Sequence, residues 1–301
     1  MDSGVFYEGY GRGMKNLFRT ISKLVMRYRV QRVQMRQDVT MLRSMMIDQY
    51  LLTNLHDHPR YQDPKRLNRH EFQVYSQNGE DGIIESIFDR IGTTNRVFVE
   101  IGLQDGLECN STWLLLKGWS GYWLEGNPKS VAAIQDKFSG PIGNRQLKVQ
   151  QGFITAENVE ANLQENGVPI EFDMLSIDID GNDYWIWKSI EQFKPRVVVI
   201  EYNSLFRSNV RWVMKYNPTH IYDGTSYFNS SLKSLELLGE SKGYCLVGCD
   251  FLGINAFFVR RDLVASHFCE PFTSENHYEP IRYHLLKKNG HKRNFGDYES
   301  I

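Results

Sequence analysis

The sequence predicts an α/β fold in which a mostly parallel sheet of seven strands is covered by helices on both faces. Between residues 79 and 242, strand patterns alternate with helix patterns, which is typical of parallel strands joined by right-handed crossovers. The last two predicted strands, 244–249 and 254–260, are too close for a helical crossover and must form an antiparallel hairpin. With 41% hydrophobic and 13% aromatic residues, the 301-residue chain can bury a large core.

The predicted elements follow one another in a regular order. Before the hairpin, the predicted strands are 97–101, 122–125, 146–151, 173–179 and 196–202. The predicted helices are 79–91, 107–117, 128–138, 156–166, 183–192 and 230–242. Pro128 suits the first turn of a helix, and Ser76 or Asn78 is a suitable cap for the helix at 79–91.

A basic helical extension is predicted over residues 1–55. Residues 14–53 contain no glycine or proline, and residues 1–48 carry nine basic against four acidic residues. Apolar residues recur there at spacings of three and four, at Leu17, Ile21, Leu24, Tyr28, Met35, Leu42, Met45 and Leu52. Polar residues interrupt this seam at Gln31, Asp38 and Gln49. We expect the helix to form a homo-oligomer or to dock on the rest of the chain; peripheral contact with an anionic membrane and a merely solvated basic face are the alternatives.

Residues 56–71 are predicted to be a linker, and residues 72–301 the α/β domain. The linker is polar and holds two prolines, and its histidines, His56, His58 and His70, are expected to be solvated. The four cysteines form no CxxC pair, and the amino terminus has no apolar signal segment, so we expect reduced thiols in a cytoplasmic protein. No stretch is long and apolar enough to cross a bilayer.

A turn after the first predicted strand indicates a ligand site. The segment FVEIGLQDG (98–106) ends a β-branched strand in Glu100 and then turns on Gly102 and Gly106. Glycines let the backbone approach a ligand at the carboxyl edge of a parallel sheet. Glu125 ends the next strand, where an acid can hold the two hydroxyls of a ribose. The pattern therefore favours a cofactor that contains a nucleoside. The third glycine that a dinucleotide pyrophosphate needs is missing, which disfavours NAD.

Acids also crowd the ends of the fourth and fifth predicted strands. Asp178, Asp180 and Asp183 lie in IDIDGND, and Glu201 and Asn203 lie in VVVIEYN. Three carboxylates at one strand end repel each other unless a cation, donors or water separate them. Oxygen ligands of this kind are preferred by Mg²⁺ and Mn²⁺. We expect Asp178, Asp180, Glu201 and Asn203 to hold such an ion. The alternative is that Asp178 or Asp180 orients a cofactor amine and Asp183 caps the next helix.

Six sequence blocks carry a resemblance to a known family. They are YSQNGEDGIIESIF (75–88), FVEIGLQDGLECN (98–110), WSGYWLEGN (119–127), LSIDIDGNDYWIW (175–187), VVVIEYN (197–203) and LVGCDFLGINAFFVRRDL (246–263). In number and order, these blocks resemble the FkbM-type class I S-adenosylmethionine-dependent methyltransferases over residues 72–265. The resemblance implies a Rossmann-like sheet whose last strand is antiparallel, S-adenosylmethionine as cofactor, and methyl transfer to a hydroxyl of a sugar or glycan-like acceptor.

The resemblance also assigns residues to the cofactor. Glu100 and Gly102 would border its amino-acid end, and a helix beginning after Gly106 would offer backbone donors to its carboxylate. Phe153 would stack on adenine or fill the core, and Gln77 and Glu80 would reach the cleft or only cap their helix. The predicted cofactor-binding residues are Gln77, Glu80, Glu100, Gly102, Asp105, Gly106, Glu125, Gly126, Phe153 and Asp178.

Catalysis of methyl transfer needs proximity and a deprotonated acceptor. His220 and Asp223, in the irregular stretch after the fifth strand, are the candidate bases, together with Asp180. Tyr222, Tyr227, Trp212 and Asn255 are candidates for an acceptor surface or for the core. A metal held by Asp178 and Glu201, as in the catechol-type O-methyltransferases that this region resembles, would activate an acceptor hydroxyl.

Two other functions fit parts of the sequence. Asp178-Ile179-Asp180 has the DxD form of a metal-dependent glycosyltransferase that uses a nucleotide sugar. A non-catalytic helical interaction protein with a degenerate cofactor fold is the other alternative. The expected partners are a small-molecule or glycan acceptor and further copies of the chain, and no nucleic acid.

Overall fold

A computed structural model describes residues 5–286 and 293–296, with side chains from residue 18 onward. The chain divides into two compact units, one ending at Thr53 and the other beginning at Asn54. The first unit is a helix, α1 (Val5–Leu51), of 47 residues, which passes into a π-helical turn at Leu52–His56. The predicted helical extension is therefore confirmed. Its seam side chains, such as Leu24, Met35 and Leu42, are exposed.

The second unit is built on a sheet of seven strands. The strands are β1 (Val97–Ile101), β2 (Ser120–Glu125), β3 (Leu147–Gln151), β4 (Glu171–Ile177), β5 (Lys194–Glu201), β6 (Tyr244–Cys249) and β7 (Asn255–Arg260). Their order in the sheet is β3-β2-β1-β4-β5-β7-β6. The first five strands pair in parallel, whereas β7 is antiparallel to both of its neighbours. The predicted sheet and its closing hairpin are confirmed.

Helices cover both faces of this sheet. They are α2 (Glu80–Ile91), α3 (Thr112–Leu116), α4 (Pro128–Lys137), α5 (Ser139–Gly143), α6 (Val159–Asn166), α7 (Asp183–Ser189), α8 (Leu232–Ser241), α9 (Arg261–Val264) and α10 (Ser274–His277). Along β5, Val197 and Val199 face one apolar core, and Val198 and Ile200 face the other. Because both faces are buried, this strand reads as a continuous apolar run.

The largest difference from the prediction lies between β1 and α3. The predicted helix at 107–117 begins only at Thr112. The preceding residues form a loop because the Glu100 carboxylate accepts hydrogen bonds from the backbone N–H groups of Asn110 and Ser111, at 2.9 and 3.0 Å. The Thr112 hydroxyl donates to the Gly106 carbonyl at 2.7 Å and closes the same loop. The prediction that a helix begins directly after Gly106 is therefore wrong.

The segment 56–71, predicted to be a linker, belongs to the second unit and packs within it. Tyr61 and Leu67 are buried, and the Tyr61 hydroxyl donates to Glu279 at 2.8 Å. The Asn68 side-chain amide donates to the Cys249 carbonyl at 2.8 Å. All four cysteines are free thiols and buried.

The amino ends of the strands are held by a buried ion pair. Arg196 and Asp173 contact each other at 2.6 Å, and both are almost fully buried. The Asp173 carboxylate also accepts from the backbone N–H groups of Thr94, Asn95 and Arg96, which ties the loop before β1 to β4. This edge of the sheet is thus closed by stabilising contacts, whereas the opposite, carboxyl edge opens into a cavity.

Among the described residues, no helix is long and apolar enough to cross a membrane.

Candidate active site

A cavity of about 500 Å³ lies at the carboxyl edge of the sheet. This volume is in the range of small-molecule sites. The predicted site residues that line it are Gln77, Glu80, Glu100, Gly102, Glu125, Gly126, Phe153, Asp178, Asp180 and His220. Tyr222 and Asn255, predicted for the acceptor surface, also line it. The structure therefore brings together residues from β1, β2, β7, the beginning of α2 and the segment before it, and the loops after β3, β4 and β5.

The turn at Gly102 lies close to the end of β4. Gly102 has a φ of +84°, and a Cβ atom there would lie 1.8 Å from the carbonyl oxygen of Asp178. The Gly102 N–H donates to the Leu124 carbonyl at 3.0 Å, and the Asp178 N–H donates to the Ile101 carbonyl at 3.0 Å. Glycine is required here because the turn is in contact with the backbone of the neighbouring strand end.

Glu125 binds the backbone of the turn as well as lining the cavity. One carboxylate oxygen accepts from the N–H groups of Leu103 and Gln104, at 2.9 and 3.0 Å. The other accepts from the N–H of Asn127 at 2.7 Å. A carboxylate has about four lone-pair sites, so capacity remains for a hydroxyl of a ligand.

Glu100 lies deep in the cavity wall and holds the loop before α3. Burial raises its pKa to about 7, although the donors Ser111 and Asn110 act in the opposite direction. Of the other residues of this turn, Asp105 lies outside the cavity, where it forms an ion pair with Lys137 at 2.5 Å. Gly106 also lies outside, and a Cβ atom there would meet the Phe138 ring at 2.7 Å. Both residues shape the turn, and the cofactor contact predicted for them is not supported by these positions.

Glu80 serves both as a helix residue and as part of the cavity. Its carboxylate accepts from the Asn78 N–H at 2.7 Å and from the Asn255 side-chain amide at 2.8 Å. The residue at the cap position of α2 is Gly79, not Ser76 or Asn78 as predicted, although the Ser76 hydroxyl accepts from the Asp81 N–H at 3.0 Å. Glu80 and Asn255 therefore join the beginning of α2 to the beginning of β7.

Phe153 and Gly126 form one wall of the cavity. The Phe153 side chain is 49% exposed, and a Cβ atom on Gly126 would meet its ring at 3.4 Å. A half-exposed aromatic ring in a cavity wall can stack on a planar base. Of the two roles predicted for Phe153, the structure excludes the core role.

Three carboxylates come together where β4 and β5 end. One oxygen from each of Asp178, Asp180 and Glu201 lies within 4.8 Å of the others. Burial and then neighbouring acids, chiefly Asp183, raise the pKa of Asp178 well above its ordinary value. For Glu201 burial again acts first and Asp178 second, with the same direction of pKa shift. A divalent cation would relieve this repulsion, and the donors are of the oxygen type that Mg²⁺ or Mn²⁺ prefers. The residues present fit such an ion.

Asp183 fixes the backbone on both sides of Asp180. Its carboxylate accepts from the N–H groups of Ile179 and Gly181, at 3.1 and 3.0 Å. These bonds hold Asp180 at a φ of +56°, an uncommon conformation for a residue with a side chain. Backbone of this kind often occurs at functional sites.

Two predicted residues lie elsewhere. The Asn203 side chain donates to the carbonyls of Ser226 and Phe228 at 3.1 Å, and its oxygen accepts from the Leu205 N–H at 3.2 Å. It therefore orders the loop after β5 instead of facing the carboxylates. Asp223 is exposed and accepts from the N–H and hydroxyl of Thr225, outside the cavity, so its predicted role as a base is not supported by its position.

His220 lies beside Asp180 at the cavity wall. Its ring packs on Gly181, where a Cβ atom would lie 2.4 Å from the imidazole Cδ2. The buried Nε2 atom has no hydrogen-bond partner among the described residues. Gly181 is not among the predicted site residues, although a glycine directly after the acids in IDIDGND is a visible signal. Four further residues line the cavity without having been predicted, because they have no distinctive spacing: Glu108, Cys109, Asn110 and Asn182.

The charge of the cavity is strongly one-sided. Among residues 18–286 and 293–296, six acids and no lysine or arginine line it: the acids are Glu80, Glu100, Glu108, Glu125, Asp178 and Asp180. Walls of one charge focus the potential inside a cavity. This site is therefore suited to a ligand that is itself cationic, or to one bound together with a metal ion.

The order of the strands, the antiparallel β7 and the position of the cavity define a Rossmann-like sheet of the class I methyltransferase type. No protein-family model and no curated protein matches the sequence.

Solved structures with a similar fold are methyltransferases and a biosynthetic protein. The pyocyanin biosynthetic protein PhzM has 16% identity and a TM-score of 0.37, over 59% of this chain and 54% of its own. An O-methyltransferase from Bacillus cereus, in complex with SAH, has 16% identity and a TM-score of 0.39, over 70% and 88%. The amino-terminal domain of EvdMO1, with SAH and D-fucose, has 12% identity and a TM-score of 0.42, over 75% and 96%. The chain thus spans about half the length of PhzM.

Proposed function

We propose that this protein is an S-adenosylmethionine-dependent O-methyltransferase. The observation that carries the proposal is the cavity at the carboxyl edge, which, in the part of the chain that the structure describes, is lined by six acids and by no lysine or arginine. S-adenosylmethionine carries a positive sulfonium and an ammonium group, which such a potential stabilises. A ligand with phosphate groups would be repelled by the same walls.

The lining residues fit the parts of this cofactor. Glu125, at the end of β2, has hydrogen-bonding capacity left for ribose hydroxyls, and the half-exposed Phe153 ring is available to adenine. Gln77 and Gln104 offer side-chain amides to a carboxylate, and Asp178 and Glu100 are near enough to the cavity to favour a cation. When bound, the cofactor would supply an activated methyl group for in-line displacement by an acceptor oxygen.

Titration calorimetry tests the proposal directly. We expect S-adenosylmethionine and S-adenosylhomocysteine to bind, and Glu125→Gln to weaken both by about tenfold, because one charged hydrogen-bond acceptor is lost. Asp262→Asn, at the opposite edge of the sheet, is the matched control and should bind as the wild type does. Absence of binding by the wild-type protein would refute the proposal.

We further propose that a divalent metal assists the reaction. Asp178, Asp180 and Glu201 would hold it, and it would supply Lewis-acid activation of an acceptor hydroxyl. His220, beside Asp180 and with an unpartnered Nε2, would accept the proton from that hydroxyl. Mn²⁺ binding followed by electron paramagnetic resonance should disappear in Glu201→Gln and persist in Asn203→Ala, because Asn203 faces the loop. Retained Mn²⁺ binding in Glu201→Gln would refute the metal site.

The acceptor that we propose is a sugar or glycan-like molecule. The loop after β5 presents three exposed aromatic side chains, Trp212, Tyr222 and Tyr227, and Tyr222 reaches the cavity. Aromatic faces of this kind stack on the apolar faces of sugars while polar groups bind hydroxyls. Transfer of labelled methyl groups to a panel of free sugars, catechols and fatty acids would separate the acceptor classes, and transfer only to non-sugar members would contradict the proposal.

The cavity disfavours a glycosyltransferase that uses Asp178 and Asp180 as a DxD motif. A nucleotide sugar brings two phosphate groups into the site. A metal ion at Asp178 and Asp180 would neutralise part of their charge, but the lining residues in the described part of the chain offer them no lysine or arginine beside it. Calorimetry with UDP-glucose and Mn²⁺, beside S-adenosylhomocysteine, distinguishes the two functions; binding of the nucleotide sugar alone would favour the glycosyltransferase.

A further inference from the structure

Residues 293–296 lie across the two walls of the cavity. They belong to the same unit as the sheet. The Arg293 guanidinium Nη1 donates to the Tyr75 carbonyl at 2.7 Å and to the Leu107 carbonyl at 3.3 Å. The same atom lies 3.5 Å from the carboxylate of Glu108. One side chain therefore joins the segment before α2 to the loop before α3.

These two segments carry residues of the cavity lining. Gln77 follows Tyr75 by two residues, and Glu108 follows Leu107 directly. Of the six lining acids, only Glu108 forms an ion pair with a lysine or arginine in the described part of the chain. Arg293 thus contacts the cavity walls through their backbone, at positions next to residues that face the ligand space.

Aromatic packing anchors the segment. The Phe295 ring lies 4.7 Å from that of Phe138 and 6.1 Å from that of Tyr75. Phe138 in turn fills the space beside Gly106, in the turn after β1. The Tyr75 hydroxyl donates to the Asn294 carbonyl at 3.2 Å. Contacts on both sides of Arg293 therefore hold its guanidinium between the walls.

We propose that residues 293–296 form a strap that fixes the two walls of the cofactor cavity, with Arg293 as its positioning residue. The inference rests on the proposed function, since its readout is cofactor affinity. Without the strap, the segment before α2 and the loop before α3 are free to separate. Binding must then order them, so affinity falls and the ligand leaves faster.

Arg293→Ala tests the strap, and Arg260→Ala is its matched control. Arg260 is similarly exposed and makes ion pairs with Glu171 and Asp262, but at the opposite edge of the sheet. We expect Arg293→Ala to weaken S-adenosylhomocysteine binding by about tenfold and to raise its dissociation rate by a similar factor. Arg260→Ala should lower the melting temperature comparably and leave the affinity within about twofold of wild type.

A role in general stability alone predicts a different result. Both variants would then melt earlier and bind S-adenosylhomocysteine equally well, which would overturn the strap. If Arg293→Ala does not fold, Phe295→Leu removes the aromatic anchor more gently and should show the same increase in dissociation rate; an unchanged rate would also overturn it. A wild-type protein without affinity for S-adenosylhomocysteine would instead overturn the proposed function.

Discussion

Gly102 is the residue at which backbone conformation and the site depend most directly on each other. A Cβ atom there meets the Asp178 carbonyl oxygen at 1.8 Å, and the φ of +84° disfavours side chains. We expect Gly102→Ala to lower the free energy of unfolding by about 3 kcal/mol or more, since strain and a backbone clash act together. S-adenosylhomocysteine affinity should fall by at least about tenfold as the end of β4 shifts. Urea unfolding and calorimetry measure the two effects.

Gly167→Ala is the control for this substitution. Gly167 also has a positive φ, +76°, but a Cβ atom there meets nothing within 4 Å. It should lose only the conformational part, about 1 kcal/mol, with no change in affinity. Equal effects of the two substitutions would show that the close approach to the Asp178 carbonyl contributes neither to the loss of stability nor to the loss of affinity.

Individual roles in the site were predictable only in part. Acids and glycines at strand ends indicated Glu100, Gly102, Glu125, Asp178 and Asp180, and all of these line the cavity. The sequence does not reveal which direction a loop side chain takes. Asn203 and Asp223 belong to residue types suited to a site, yet each is bound within its own loop. Such outcomes depend on local hydrogen bonds that compete with the site for the same side chain.

His277 makes stability depend on pH. It is buried, and burial first, then Arg66, lowers its pKa from 6.5 to about 3, so the folded protein holds it neutral. The unfolded chain protonates it below pH 6.5, so this contribution is complete above that pH and is lost as the pH falls towards 3. At pH 5 the loss is about 2 kcal/mol.

The difference between wild type and His277→Gln isolates this effect. Glutamine keeps a donor for the Cys269 carbonyl, which lies 3.0 Å from Nε2 of His277, and does not titrate. The advantage of the wild type in urea unfolding should therefore shrink by about 2 kcal/mol between pH 8 and pH 5. An advantage that is constant over this range would mean that His277 is protonated in the fold.

Among the elements, α1 is the one that we expect to provide a surface for a second copy of the chain. Seam residues such as Ile21, Met35 and Leu42 are exposed at spacings of three and four. Burying Asp38 of the same seam among lipid chains is costly, whereas a polar seam residue in a coiled coil can fix its register. We expect Met35→Asp with Leu42→Asp to convert an oligomer into a monomer in light scattering.

Met26→Asp with Val33→Asp is the matched control for the seam. These side chains are also exposed, but they lie on the opposite face of the helix, so the oligomer should persist. A wild-type monomer that sediments with phosphatidylserine vesicles would contradict self-association and support the membrane contact.

Element types were more predictable than their limits. Alternating patterns of strands and helices gave all seven strands, and the short connection gave the antiparallel hairpin. The start of α3 was placed five residues early, at 107 instead of Thr112. Helical propensity alone would extend α3 back to the turn. The buried Glu100 carboxylate instead accepts hydrogen bonds from the N–H groups of Asn110 and Ser111, so the helix begins only at Thr112. This tertiary contact joins residues about ten positions apart.

For the whole molecule, the two edges of the sheet separate stability from function. At the amino edge, Asp173 and Arg196 form a buried pair that also ties down a loop. At the carboxyl edge, half-buried acids lie close together around the cavity, and burial first and repulsion by neighbouring acids second raise the pKa values of Asp178 and Glu201. Proteins commonly lose stability where a binding site needs charges that a core would exclude.

Asp173→Asn and Asp178→Asn should therefore have opposite consequences. Asp173→Asn leaves the Arg196 guanidinium buried without its counter-charge, so the free energy of unfolding should fall by about 3 kcal/mol. S-adenosylhomocysteine affinity should not change, because this pair lies at the amino ends of the strands. Asp178→Asn removes one of the mutually repelling acids, so stability should stay equal or rise by about 1 kcal/mol while affinity falls. Urea unfolding and calorimetry on both variants decide the matter. Two results would contradict this division between stability at the amino edge and ligand affinity at the carboxyl edge. One is a large loss of affinity in Asp173→Asn under conditions in which this variant is folded, and the other is a loss of stability in Asp178→Asn.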